Sequence, residues 1–220
     1  MQFARLFSKT AKNRNLTSIY KQFREYTMIP EGHYLDNLSL AKSVESINGC
    51  IVECGVWRGG MSAGIAKILG QNRTYYLFDS FEGLPPAKEI DGSAAIAWQK
   101  DTKSEIYFDN CSAPIEFATT AMNQSGVSRF HSVKGWFNQT LPKYNFSEPI
   151  ALLRLDGDWY DSTLDCLNYL YKHVVSGGIV VIDDYYTWDG CTRAVHDFLS
   201  KNSIPDCIRS TGLTCYIVKK

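Results

Sequence analysis

Chemistry in this chain concentrates in its carboxylates. Asp156-Gly-Asp158 follows the apolar run Ile150-Ala-Leu-Leu-Arg-Leu155, Asp183-Asp184 follows Gly178-Ile-Val-Val-Ile182, and Asp79 follows Thr74-Tyr-Tyr-Leu-Phe78. Each acid therefore stands just past the end of a strand-like segment. Carboxylates packed together without a counter-ion repel and raise one another's pKa, whereas an oxygen-only set suits Mg²⁺. Taken alone, Asp156-Gly-Asp158 has two readings. It could be the Asp-x-Asp of a nucleotide-sugar glycosyltransferase, holding a divalent metal on a diphosphate, or a metal ligand beside a base in an O-methyltransferase. Asp183-Asp184 supports the second, because Asp156, Asp183 and Asp184 could then share one Mg²⁺.

The second feature is Glu53-Cys-Gly55-Val-Trp-Arg-Gly59-Gly60, which follows the strand-like Cys50-Ile-Val-Glu-Cys54 and opens a helical stretch. Glycines there let the backbone approach a ligand and leave helix N–H groups facing it. The spacing is not G-x-G-x-x-G, so it is a poor match to a nicotinamide site. Glu53 at the end of one strand and Asp79 at the end of the next suit a nucleoside with free ribose hydroxyls and a cationic amino-acid tail, and S-adenosyl-L-methionine is such a ligand. His33, His131, His173 and His196 show no metal-ligand spacing. Trp136-Phe137 suits either stacking on an adenine or packing in the core.

The elements that position these groups alternate. A helix is predicted over Tyr34–Ile47, after a turn at Pro30-Glu-Gly32. Strands are expected at Cys50–Cys54, Thr74–Phe78, Phe130–Val133, Ile150–Leu155 and Gly178–Ile182. Helices are expected at Ser62–Leu69, Pro114–Met122, Thr163–Val174 and Cys191–Ser200, and Glu82–Thr102 reads as irregular. Cys207–Ser210 and Leu213–Val218 read as a closing antiparallel hairpin. Alternation of this kind implies an α/β fold, a mostly parallel sheet covered on both faces, with ligands bound at the carboxyl ends of the strands.

Composition narrows the class. The 220 residues suit one compact domain, with 45% hydrophobic and 21% charged residues arguing against extended disorder. Lys and Arg number 23 against 23 Asp and Glu, so no basic excess is available for nucleic acid. No apolar run approaches the ~20 residues that cross a bilayer. Met1 to Arg14 is broken by basic residues, lacks the apolar core of a signal peptide and reads as a solvated helical arm. Seven scattered cysteines without Cys-x-x-Cys fit reduced thiols in a cytoplasmic protein.

Together these segments resemble the macrocin O-methyltransferase (TylF/MycF) family of metal-dependent sugar O-methyltransferases. The matching stretches are Thr27-Met-Ile29, Leu35-Asp-Asn-Leu38, Glu53 to Gly60, Asp79-Ser-Phe-Glu-Gly-Leu-Pro85, Gly135-Trp-Phe137 with Thr140-Leu-Pro142, Arg154 to Tyr160 with Ser162-Thr163, and Gly177 to Cys191. The resemblance implies a Rossmann-like class I methyltransferase fold with seven strands, a C-terminal antiparallel hairpin, an N-terminal helical lid over residues 1–48 and a methyltransferase domain over 49–220. It implies metal ligands at Asp156, Asp183 and Asp184 and a general base at Asp158. It implies S-adenosyl-L-methionine contacts at Met28, at Glu53, Cys54, Gly55, Val56, Trp57, Gly59, Gly60 and Ser62, at Asp79, Ser80 and Phe81, at Gly135, Trp136 and Phe137, and at Asp156. The acceptor would be a sugar or glycoside, and the helical N-terminus hints at a homodimer. Departures from the family pattern are Cys54 for Thr, Pro30 for Gly, Tyr34 for Arg and Trp159 for a small aliphatic residue; Pro30, Tyr34 and Trp159 lie where lid and acceptor would meet. The competing classes are the glycosyltransferase, a non-catalytic cofactor-binding subunit, and a short-chain dehydrogenase whose Tyr-x-x-x-Lys pair occurs only as Tyr216 and Lys220.

Overall fold

Strand formation follows the apolar runs. A computed structural model describes residues 15–220, so the arm read from residues 1–14 lies outside the described residues. The strands are β1 (Cys50–Cys54), β2 (Tyr75–Asp79), β3 (Phe130–Lys134), β4 (Ile150–Leu155), β5 (Val174–Ile182), β6 (Ile208–Ser210) and β7 (Cys215–Val218). Every residue of β1 and β4 is buried, as near-continuous apolar strands in the middle of a parallel sheet should be. The sheet order is β3-β2-β1-β4-β5-β7-β6. The first five strands run parallel, and β7 pairs antiparallel with both β5 and β6. Strand order reverses between β1 and β4, and the crevice above that reversal is where an open α/β sheet binds ligands.

Side chains alternate across the sheet into two apolar layers. On one face Ile51, Leu77, Leu152 and Val181 pack under helices 15–23, Glu31–Ser43, Gly60–Leu69 and Ile115–Ser125, through Phe23, Leu38, Ile65 and Met122. On the other face Val52, Phe78, Leu153 and Ile182 pack under Tyr160–Leu170 and Asp189–Lys201, through Leu167, Leu170, Val195 and Phe198. One irregularity matters for the site. Cys50 pairs with Ile150 but Ile51 pairs with Leu152, so β4 carries an extra residue at Ala151. A one-residue slip exchanges the faces of a strand. Beyond this bulge Arg154 registers with Glu53 and Val181, on the same face as both.

Four expectations change. The helix read over Tyr34–Ile47 after a turn at Pro30-Glu-Gly32 already begins at Glu31, with Pro30 as its N-cap, and ends at Ser43. The helix read over Thr163–Val174 spans Tyr160–Leu170 and passes through the 3₁₀ turn Tyr171–His173 directly into β5, which starts at Val174 rather than Gly178. The Lys219 ammonium donates to the carbonyls of Tyr171 and Val174 and ties off that junction. The stretch read as irregular contains a helix, Ser93–Lys100, in which only Ala95 is buried, so it offers no apolar stripe to read. The helix after β1 begins at Gly60, two residues ahead of the expected Ser62.

The ends of β1 and β4 come very close. Gly55 has φ +88°, and a Cβ there would lie 1.7 Å from the Asp156 carbonyl oxygen. Gly70 has a similar φ, +78°, with nothing within 4 Å. Gly55→Ala should therefore cost about 2–5 kcal/mol in urea unfolding, from left-handed strain plus steric displacement, while Gly70→Ala costs about 1 kcal/mol from strain alone. Equal losses at the two positions would refute the close-approach account.

Candidate active site

A cavity of about 630 Å³ opens above the carboxyl ends of the strands, within the ~300–1,000 Å³ usual for small-molecule sites. All five tryptophans of the chain line it: Trp57, Trp98, Trp136, Trp159 and Trp188.

The glycine-rich turn is shaped by Asp79. One carboxylate oxygen accepts the N–H groups of Val56 (2.6 Å) and Trp57 (2.9 Å), and the other accepts that of Phe81 (2.6 Å). Burial raises its pKa, and these three hydrogen bonds oppose the rise. A carboxylate offers about four acceptor sites, so Asp79 retains room for about one further hydroxyl.

Beneath the floor lies Arg154, fully buried on β4. One terminal nitrogen donates to Glu53 (2.7 Å) and to Asp156 (2.8 Å), and Nε donates to the Asn37 amide oxygen (3.1 Å). The other terminal nitrogen makes a close ion contact, 2.6 Å, with Asp183. Asn37 also donates to Asp183 (3.3 Å), and His33 Nε2 lies 3.5 Å from the same oxygen. The helix Glu31–Ser43 thus reaches the acids through two polar side chains. Glu53 also accepts from the Ser62 hydroxyl. Burial pushes its pKa up to about 7, with Arg154 and Ser62 opposing.

Asp156, Asp158 and Asp184 each offer an oxygen within 4.8 Å of the others. Asp158 has a left-handed backbone, φ 57°, its N–H donates to Asp184 (3.0 Å), and its Oδ1 accepts the Trp188 indole N–H (2.8 Å). Burial and the facing Asp156 push Asp158 up to about 7; burial and the facing acids also raise Asp184 well above the usual carboxylate range. Asp156 is also raised, against the pull of Arg154. Three crowded, mutually repelling oxygen donors form a donor set that fits a hard divalent ion. Asp183, expected among the metal ligands, sits beside this trio and pairs with Arg154; Asp158, expected as the base, stands within it.

The expected cofactor residues divide between the cavity wall and the layer behind it. Met28, Gly55, Val56 and Trp57 line the cavity, as do Asp79, Ser80, Gly135, Trp136, Phe137 and Asp156. Glu53 and Ser62 lie behind it in the Arg154 network, and Cys54 points into the opposite layer. A Cβ on Gly59 would meet Ala118, and one on Gly60 would meet the Tyr26 carbonyl, so both glycines serve helix packing. Phe81 packs in the core. Among residues given no role from sequence, Trp98 and Trp188 form wall, while His33 and Asn37 face Asp183. Asn37 stood inside the quoted Leu35–Leu38 stretch and could have been singled out there. Trp98 lay in a stretch without periodicity.

A family model described as macrocin-O-methyltransferase (TylF) matches residues 7–220. The chain is 33% identical over 183 residues to the 8-demethyl-8-(2,3-dimethoxy-alpha-L-rhamnosyl)-tetracenomycin-C 4'-O-methyltransferase of Streptomyces olivaceus, covering 79% of this chain and 68% of that one. It is 32% identical over 170 residues to the mycinamicin III 3''-O-methyltransferase of Micromonospora griseorubida, covering 74% and 65%. The chain thus spans about two thirds of the length of these relatives. The O-methyltransferase NovP superposes with TM-score 0.73 and 28% identity over 89% of this chain and 82% of its own. An O-methyltransferase from Bacillus cereus in complex with S-adenosylhomocysteine shares the fold, with TM-score 0.51 and 15% identity over 93% and 90%.

The buried Glu53 generates a pH dependence. Its folded pKa of about 7 exceeds the ordinary 4.5, so the folded state holds the extra proton between those values. Stability from this group is therefore present below about pH 4.5 and is lost as pH rises through about 7. In urea unfolding without added metal, wild type should lose on the order of 2 kcal/mol relative to Glu53→Gln over that interval. A difference curve that is flat, or rises with pH, would refute the assignment.

Proposed function

The chain belongs to the macrocin O-methyltransferase (TylF) family, and on that premise we propose that it moves the methyl group of S-adenosyl-L-methionine to a hydroxyl of a sugar, with Mg²⁺ or a similar divalent cation. The observation that carries this reading is the acid trio at the reversal of strand order, beside the glycine-rich turn and inside one cavity. Two named relatives act on glycosylated natural products.

Of the trio, Asp156 and Asp184 would hold the cation, joined by the adjoining Asp183 as it turns from its Arg154 contact, and Arg154 would keep Asp156 oriented from below. When bound, the cation acidifies and orients a sugar hydroxyl whose own pKa lies far above neutrality. Asp158 accepts the proton of that hydroxyl. Its Oδ1 is fixed by Trp188, which orients the carboxylate toward the site the hydroxyl would occupy. The turn Gly55–Trp57, held by Asp79, presents the methyl donor, and Met28 with Trp136 closes its sides. The aromatic lining excludes bulk water, which strengthens electrostatic effects inside. Residues up to 48 serve as the lid, since Met28, Ile29, Pro30 and His33 line the cavity.

The proposed setting is cytoplasmic: all seven cysteines are free and five are buried, and no helix among the described residues is long and apolar enough to cross a membrane. A small sugar or glycoside is the partner, nucleic acid is not, and the helices before residue 48 offer a homodimer contact.

The test is calorimetry with S-adenosyl-L-methionine in Mg²⁺ and in EDTA. Micromolar binding should survive EDTA; absence of binding in both buffers sinks the reading. Asp158→Asn should lower kcat by at least ~100-fold with cofactor affinity within about threefold of wild type. Retention of turnover by this variant would remove Asp158 as the base.

A further inference from the structure

Resting on the cation that the methyl-transfer reading assigns to the acids, we propose that Asn37 is a positioning residue that acts through Asp183. Together with His33 it holds Asp183 aside from the acid trio. Release of this carboxylate from the helix Glu31–Ser43 is therefore coupled to cation binding.

Two observations carry this. The first is where Asp183 stands. Asp156, Asp158 and Asp184 bring one oxygen each within 4.8 Å of the others, and Asp183, next to Asp184 in sequence and on the same cavity wall, is not among them. One oxygen of Asp183, Oδ1, faces all the side-chain partners that it has among the described residues: Arg154 Nη2 at 2.6 Å, the Asn37 amide nitrogen at 3.3 Å and His33 Nε2 at 3.5 Å. Two of these three partners belong to the helix Glu31–Ser43. To join the trio, the carboxylate must turn from that seat.

The second is how the seat is built. Arg154 Nη2 and His33 Nε2 are buried atoms, and neither finds an aligned hydrogen-bond acceptor among the described residues although Asp183 Oδ1 lies close to both. Arg154 thus holds the carboxylate by charge without alignment, and the Asn37 amide supplies its one directed hydrogen bond. A carboxylate leaves such a seat at modest cost. Its departure strands no buried charge, because the other terminal nitrogen of Arg154 keeps Glu53 (2.7 Å) and Asp156 (2.8 Å), and Nε keeps the Asn37 amide oxygen (3.1 Å). Asn37, 2% exposed, keeps the His33 carbonyl (3.1 Å) as a further acceptor. The Asn37 donor therefore sets the fraction of molecules in which Asp183 is free to turn, and apparent cation affinity scales with that fraction.

The experiment titrates the full chain with Mn²⁺, following the free ion by paramagnetic resonance, and with Mg²⁺ by calorimetry. Asn37→Asp keeps an acceptor for Arg154 Nε and removes the donor to Asp183. His33→Ala removes the second contact, from a side chain that is 22% exposed. Asn37→Asp should bind Mn²⁺ about five- to tenfold more tightly than wild type, and His33→Ala about two- to threefold more tightly. In an Asp183→Ala background both gains should fall below about twofold, which separates release of Asp183 from the charge that Asn37→Asp adds. Coupling is reciprocal, so Mg²⁺ should speed hydrogen exchange in the helix Glu31–Ser43 of wild type and not of Asp183→Ala, a response that a merely structural amide does not give. Unchanged or weaker cation binding by the variants overturns the proposal, as do gains that persist without Asp183, or exchange that slows with Mg²⁺. Should Asn37→Asp not fold, His33→Ala decides by the same criteria. A wild-type chain that binds neither ion removes the cation from the methyl-transfer reading and this proposal with it, and that outcome is seen before any variant is compared.

Discussion

Arg154 has 1% of its side chain exposed and shares its guanidinium among Glu53 on β1, Asp156 beyond β4, Asp183 beyond β5 and Asn37 on the helix Glu31–Ser43. Desolvating a charge costs several kcal/mol, and the cost is offset only where the geometry supplies opposite charges and further hydrogen bonds. Here three carboxylates and an amide supply them, drawn from four separate elements. The arrangement depends in turn on the bulge at Ala151, which turns Arg154 to the face where Glu53, Asn37 and Asp183 lie. The same buried cation therefore holds two central strands in register, anchors the helix Glu31–Ser43 and sets the orientation of two acids at the site.

The parts of this that could be read from sequence are those encoded locally. Each central strand is an apolar run ending in an acid, so the sheet, its C-terminal hairpin and the rim of carboxylates follow from counting along the chain. Local patterning does not encode which side chains turn toward the crevice. Glu53, Cys54, Gly59, Gly60 and Ser62 share a motif with Gly55, Val56 and Trp57, yet the first five support packing behind the wall and the last three form it. Which acids meet is likewise non-local. Asp158 joins Asp156 and Asp184 because its backbone is left-handed and its N–H is held by Asp184, while Asp183 is drawn aside by Arg154, Asn37 and His33. Trp98 was hidden for a different reason: its helix buries one alanine and is held by its tryptophan and by Asp91, not by an apolar stripe.

Backbone strain shows how the rim is kept in shape. Among the described residues, the non-glycine ones with positive φ are Trp57, Phe81, Asp158, the run Phe108–Cys111 and Ser203, and all but Ser203 line the cavity or adjoin residues that do. Each such conformation costs about 1–3 kcal/mol and persists only where its surroundings over-determine it. The restraints can be named. Asp79 holds the N–H groups of Trp57 and Phe81. Asp184 and Trp188 hold Asp158 from two sides. Asn110 fixes the left-handed run by donating to the Leu84 carbonyl and accepting from Gln99. Carboxylates that look surplus to the fold are thus the groups that stabilise its strained edge, while Asp158 and Asp184 face each other without a basic side chain between them. A sheet of ordinary apolar strands needs none of this. Ser203 apart, the cost falls along the rim of the cavity, which is where positioning of reacting groups to within a fraction of an ångström gives a return in rate.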